Sequence, residues 1–247
     1  LTSKPLVAVI SCVREVEGEP ASIVKRRYIE AVTTHADAVP VIVPAWSDAS
    51  AAYAIIERVD AILLTGSNSN IEPQRYGEAG DGTPPFDTDR DRLTQHLIQA
   101  AIAKSKPVFG VCRGLQEINI AFGGTLADER AGSAPDFSHH ATEGADLETM
   151  FGHTHAARIA PGGQLSRIVG EGEVTINSAH FQRVARIGEG LRVEAQAPDG
   201  VIEALSASDT NAPVVAVQWH PEWRPAEREH DMAFWRYLGR AARAAMR

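Results

Sequence analysis

A chain of 247 residues with 44% hydrophobic residues is long enough to bury a sizeable core, and it fits a single α/β domain spanning residues 1–247. The formal net charge of −8 and the lack of a Lys/Arg-rich run argue against nucleic acid as a partner. No apolar segment approaches a membrane span, and the two cysteines, Cys12 and Cys112, are too few and too far apart for a disulfide framework.

The chain begins with the apolar run Leu6–Ile10, a strand covered on both faces. Residues 1–10 lack a basic-then-apolar leader pattern, which with the sparse cysteines points to a reducing, cytoplasmic setting. Ser22 is placed to cap a helix carrying Ile23, Tyr28, Ile29 and Val32. Residues 41–43, boxed by Pro40 and Pro44, predict a second strand, 51–59 a helix and Ala61–Leu64 a third strand. Strand–helix alternation of this kind is the grammar of a doubly wound, mostly parallel sheet, whose sites lie at the carboxyl ends of the strands. The segment 67–86 is long for a connection without structure, which marks it as functional or mobile, and as a lid if it closes over the site. A helix is predicted over 87–103.

Residues 107–124 organise the rest. Val108–Val111 is a short apolar run, and Leu115, Ile118, Asn119 and Phe122 then recur at helical spacing. Between them lies Gly110-Val111-Cys112-Arg113-Gly114, a nucleophile elbow with cysteine in place of serine. Glycine is needed two positions either side because a strand turning straight into a helix brings backbone close to both. The elbow sets the Cys112 side chain at the positive end of the helix, where a thiolate is favoured. A buried structural cysteine is the alternative for such a pattern taken alone.

Past Gly124 the sequence becomes polar and weakly periodic, so 126–152 reads as a variable surface segment. Short alternating runs at 156–159, 174–177, 191–195 and 201–205 predict an antiparallel flank, with Pro198-Asp199-Gly200 as a hairpin turn. A last buried strand, 214–219, ends at His220-Pro221-Glu222, and a helix over 226–246 closes the chain. A thiolate needs a base and the base needs an orienter; His220 and Glu222 supply both from one turn stiffened by Pro221. Neighbouring parallel strands would bring them to Cys112.

The stretch 111–126 together with Gln-Trp-His-Pro-Glu-Trp (218–223) resembles the class I glutamine amidotransferase-like hydrolases, and within them the γ-glutamyl-γ-aminobutyrate hydrolases of bacterial putrescine breakdown. Further matches are Gly66-Ser67-x-Ser69-Asn70-x-x-Pro73, Arg90-Asp91, Asn177-Ser178-x-His180-x-Gln182 and Pro198-Asp199-Gly200-x-Ile202-Glu203-Ala204. The resemblance spans about residues 5–240. It implies a flavodoxin-like sheet and cysteine-dependent hydrolysis of a γ-glutamyl amide by Cys112, His220 and Glu222. The elbow itself gives the backbone N–H of Arg113 as one oxyanion donor, and the family pattern puts a second at Gly66 or Ser67. Gln116, Asn177, Ser178 and His180 are the family-matched substrate-binding candidates. Their alternatives are plain: Gln116 as a tie to a neighbouring loop, and 177–180 as a strand-end loop. Ala179 and Phe181 depart from the family pattern and bear on which amine leaves.

This chemistry needs no cofactor. His139, His140, His153 and His155 sit without supporting cysteines or an acidic ligand pattern, so no metal site is expected. Arg113 could pair with an acid or lie in solvent, and Cys12 reads as a small buried hydrophobe. The expected partner is a small-molecule γ-glutamyl amide, and a homodimer stays open as an assembly. The rival functions are a glutaminase subunit feeding ammonia to a synthase and a non-catalytic binding or stress module on the same sheet.

Overall fold

The structure is a computed structural model that describes residues 3–45, 49–131, 136–142 and 144–246. Its elements in chain order begin with β1 (Leu6–Ile10), β2 (Cys12–Val16), β3 (Glu19–Ile23), α1 (Arg26–Glu30), β4 (Val39–Val43), α2 (Ala49–Ile56) and β5 (Ala61–Leu64). Then come α3 (Thr88–Ala103), β6 (Val108–Val111), α4 (Arg113–Ala121), β7 (Thr125–Asp128), α5 (Leu147–Gly152), β8 (Thr154–Ile159) and α6 (Gln164–Val169). The chain ends with β9 (Gly172–Asn177), β10 (Gln182–Arg186), β11 (Leu191–Gln196), β12 (Ile202–Ala207), β13 (Val214–Val217) and α7 (Glu229–Ala244).

Nine strands form one sheet in the order β4-β1-β5-β6-β13-β12-β11-β8-β9. The first five are parallel, and β12, β11, β8 and β9 add an antiparallel flank. The fold is α/β, a doubly wound flavodoxin-like sheet with that flank. The inner parallel strands β1, β5, β6 and β13 are covered on both faces, which is why they read as apolar runs, whereas the edge strand β4 leaves Val39, Val41 and Ile42 exposed. Along β1, Val7 and Val9 pack on one face against Phe234 and Trp235 of α7, while Ala8 and Ile10 pack on the other with Leu97 of α3 and Ile118 of α4.

One sequence expectation fails at the start of the chain. Ser22 does not cap a helix; it lies in β3, paired with Val13 of β2. The turn between these strands, Glu17-Gly18, has φ of 54° and 85° at its two residues, the conformation that joins hairpin strands tightly. The helix starts later, at Arg26, and continues as a π-helical turn, Ala31–His35. Within 126–152 the structure adds order that the weak periodicity concealed: part of β7, then α5, capped by the Asp146 carboxylate accepting from Thr149 N at 2.8 Å. β10 and α6 also went unforeseen. β10 pairs only with the short β7, outside the main sheet.

The segment 67–86 is held in place. Asn70 N donates to Pro85 O at 2.8 Å, and Ile71 N donates to Gln182 Oε1 at 2.9 Å, with Gln182 Nε2 returning to Ile71 O at 3.2 Å. Among the described residues no helix is long and apolar enough to cross a membrane.

Candidate active site

The site forms where β6 ends. Cys112 has φ 52° and ψ −105°, a conformation rarely adopted by a non-glycine residue and held here by the elbow. Its glycines are required by space. A Cβ on Gly110 would come within 2.7 Å of the Gly114 backbone, and one on Gly114 would run into the Leu64 carbonyl on the neighbouring strand. Cys112 N donates to Val217 O at 2.8 Å, which fastens the elbow to β13.

β13 pairs in register with β6, Val217 opposite Val111, so the residues that follow each strand meet. His220 Nδ1 lies 2.8 Å from Glu222 Oε1. A Cβ placed on Gly66 would touch both the His220 ring, at 2.9 Å, and the Cys112 Cβ, at 3.4 Å; the loop after β5, the thiol and the imidazole converge there. The turn that carries His220 is itself clamped. Asn177 Oδ1 accepts from His220 N at 2.7 Å, Asn177 Nδ2 donates to His220 O at 3.1 Å, and the Trp235 indole donates to Pro221 O at 2.9 Å.

Electrostatics set the protonation. Burial alone would push the His220 pKa down, but the Glu222 carboxylate and the adjacent Cys112 outweigh it and hold the imidazole up to about 9. Burial would raise Glu222, yet His220 and the Arg27 guanidinium hold it down to about 2. Arg27 Nε donates to Glu222 Oε1 at 3.0 Å and lies 4.7 Å over the Phe151 ring. Sequence reasoning missed Arg27, which carries no motif; only the packing of α1 against the His-Pro-Glu turn reveals it.

The cleft at Cys112 measures about 220 Å³. Of the substrate-binding candidates, Gln116 and His180 line it, while Asn177 and Ser178 stand behind it. Asn177 is used up in clamping His220, and Ser178 Oγ donates to His139 O at 2.8 Å. Gln116 Nε2 also donates to Gln182 O at 2.7 Å, so it serves as a loop tie and as cleft wall together. Ala179 and Phe181 line the cleft as well. The described lining includes Lys25, Arg27, Arg113 and Arg130 but no carboxylate. Arg27 is paired with Glu222, Arg113 with Asp91 and Glu117, and Arg130 with Asp128, which leaves Lys25 as the cation facing an anionic ligand. A larger groove of about 540 Å³ lies beside α6 and α7, and its described lining holds neither thiol nor imidazole.

Two further expectations are corrected. The Gly66 N–H is not a free oxyanion donor, because it donates to the Tyr28 hydroxyl at 2.9 Å. Among the described residues the Ser67 N–H has no such partner, and the Arg113 N–H, first in α4, has none within the helix. Cys12 is more than a small hydrophobe: Arg90 Nη1 donates to its sulfur at 3.0 Å, and although burial opposes it the guanidinium holds the thiol below its ordinary range. Arg113 is buried and paired with Asp91 and Glu117, and Glu117 in turn holds Arg90 at 2.9 Å. That network braces the elbow from behind. The four histidines also depart from expectation, since His139 and His155 gather with a distant acid, Glu203, which local spacing could not show.

Known proteins are similar to this chain over most of its length. Residues 5–222 match the family model of peptidase C26. The γ-glutamyl-γ-aminobutyrate hydrolase PuuD of Escherichia coli K12 is 34% identical over 230 residues, covering 92% of this chain and 89% of that protein. The protein NtpR of Enterococcus hirae is 29% identical over 229 residues, covering 90% of each. A solved structure from Thermoplasma acidophilum, provisionally assigned to GMP synthase, superposes with a TM-score of 0.66 at 14% identity, covering 99% of this chain and 96% of that one, and so shares the fold. The chain belongs to the peptidase C26 family of class I glutamine amidotransferase-like proteins.

Proposed function

We propose that this protein is a cysteine hydrolase of γ-glutamyl amides, with γ-glutamyl-γ-aminobutyrate as its substrate, acting as one unit in cytoplasmic putrescine catabolism. The observation that carries the reading is the placement of His220 between the Cys112 thiol and the Glu222 carboxylate. His220, held up to about 9 beside Cys112, is the base that takes the proton of Cys112. The Cys112 sulfur attacks the γ-carbonyl carbon, and the carbonyl π pair moves to oxygen. The N–H groups of Arg113 and Ser67 receive that oxyanion; each such donor lowers a barrier by about 3 kcal/mol. Collapse breaks the C–N bond as His220 gives its proton to the leaving amine. The glutamyl thioester is then attacked by water, whose proton returns to His220, and the thiolate departs. Glu222 holds the imidazole tautomer throughout.

The substrate choice rests on charge and likeness. γ-Glutamyl-γ-aminobutyrate bears a carboxylate at each end, and the cleft offers Lys25 toward one side and Arg130 beside Phe181. The ammonium of the glutamyl head finds oxygens from Asn68, Asn70 and Gln116. PuuD, similar over nearly the whole chain, is named for this activity.

The test is glutamate release from γ-glutamyl-γ-aminobutyrate, with glutamine alongside and Cys112→Ala as control. Fast release from the first, little from glutamine and none with the variant is expected. Preference for glutamine, rising when a synthase partner is added, would transfer the assignment to an ammonia-delivering subunit. No turnover of either, with Cys112 inert to iodoacetamide, would leave a binding module.

A further inference from the structure

The antiparallel flank holds a second buried cluster, outside the reacting groups. Glu203 on β12 is fully buried, and its Oε1 faces three imidazoles: His139 Nδ1 at 3.2 Å, His155 Nε2 at 3.5 Å and His180 Nε2 at 3.8 Å. Among the described residues no lysine or arginine pairs with it.

The far side of each ring fixes where its hydrogen sits. His155 Nδ1 lies 3.0 Å from Ala156 O and His180 Nδ1 lies 3.1 Å from Gln182 O. A carbonyl only accepts, so each Nδ1 carries hydrogen and each Nε2 turns a lone pair toward Glu203. His139 differs: Nε2 lies 3.0 Å from Asp199 Oδ2 and Nδ1 3.2 Å from Glu203 Oε1, so a protonated ring faces a carboxylate on either side, and Nδ1 turns a lone pair inward once that proton leaves. Ser178 Oγ, 3.4 Å from that Nδ1, already donates to His139 O. His155 Nε2, His180 Nε2 and both Glu203 oxygens accordingly lack hydrogen-bond partners. Acceptors converge there, and the proton that a metal ion would displace is the one on His139 Nδ1.

We propose that His139, His155 and Glu203 form a Zn²⁺ site of three protein ligands, with His180 beside the fourth position. Tetrahedral zinc with nitrogen and oxygen ligands at its usual bond lengths sets ligand atoms about 3.4 Å apart, close to the three separations here. The ligand atoms of His139, His155 and Glu203 all lie within 4.8 Å of one another. Outer partners that orient metal-binding imidazoles are carboxylates and backbone carbonyls, and this cluster has one of the first and two of the second. The ion would tie residues 136–142 to β8 and β12. His140, next to His139, stacks on Phe181 of the cleft wall with ring centres 4.1 Å apart. The site therefore shapes the cleft without touching the reacting atoms.

The purified chain would be stripped with a chelator, loaded with ZnCl₂ or CoCl₂, desalted, and analysed by elemental mass spectrometry and visible absorption. About one Zn²⁺ per chain should be retained and should raise the melting temperature by several degrees, since a metal bound only by the native state stabilises it. Co²⁺ should give the intense visible bands of a tetrahedral site. Folded His155→Ala and Glu203→Gln should lose retention, and Cys112→Ala should keep it, which excludes capture by the thiol. Absence of retained zinc in the parent, or equal retention by His155→Ala, would overturn the site and leave a network of shared protons. If neither ligand variant folds, the Co²⁺ spectrum of the parent decides.

Discussion

Two buried glutamates, Glu203 on β12 and Glu222 in the turn after the neighbouring β13, hold histidines in different company. Glu222 has one imidazole and one guanidinium on a single oxygen, His220 at 2.8 Å and Arg27 at 3.0 Å. Glu203 has three imidazoles around it and no fixed cation. A carboxylate with a permanent counter-charge can stay ionised and orient one base through a reaction cycle. Glu203 faces two imidazole lone pairs and one ring, His139, whose inward proton is removable, so its counter-charge is exchangeable. The count and type of partners, more than burial, separates an orienter from a ligand.

The largest test of the first glutamate's role is its nucleophile. Cys112→Ala should cut glutamate release on the order of 10⁵-fold or more, with an unchanged circular dichroism spectrum; residual turnover near the parent level would remove Cys112 from the chemistry. Glu222→Gln comes next, with kcat lower by about 10⁴-fold. It also has a pH signature. His220 is held up to about 9 against an ordinary 6.5, so the stability it contributes is complete below about pH 6.5 and fades as pH rises through 9. Removing the carboxylate should move the alkaline limb of kcat/KM to lower pH, and a stationary limb would detach Glu222 from His220. Glu203→Gln should leave that limb where it is, which sharpens the contrast between the two acids.

Arg27→Met should cost kcat about tenfold, since a buried carboxylate that loses a charged partner holds its remaining one less well. Equal activity would show that His220 alone suffices to keep Glu222 in place. The smallest effect is expected from Arg130→Ala: KM for γ-glutamyl-γ-aminobutyrate should rise about tenfold while turnover of a γ-glutamyl anilide, which lacks the distal carboxylate, stays level. A matched rise for both substrates would assign Arg130 to the wall alone.

The parallel half of the molecule was legible because each of its strands is an uninterrupted apolar run and its elbow needs glycine at fixed places. Gly110 and Gly114 announce a close approach that the neighbouring backbone confirms. The hairpin of β2 and β3 was misread because Ile23, Tyr28, Ile29 and Val32 fit helical spacing, while the Glu17-Gly18 turn signal went unused. Arg27 and Glu203 were invisible as site members for a different reason. Their partners lie 195 residues away for Arg27 and on three separate segments for Glu203, and only packing brings them together. Asn177 and Ser178, singled out as ligand contacts, stand behind the cleft instead: Asn177 clamps the His220 turn and Ser178 holds the His139 carbonyl.

The position of β13 has a consequence for how the protein comes to life. Among the described strands it comes last in the chain, yet it sits in the interior of the sheet between β6 and β12. A nascent chain can assemble β4, β1, β5 and β6 early, with the elbow already formed, but the sheet cannot close until residues 214–217 have left the ribosome. Until the few residues after them follow, the thiol has no base beside it. Synthesis thus holds the reagent and its activator apart, and emergence of the His220–Glu222 turn is the event that arms it.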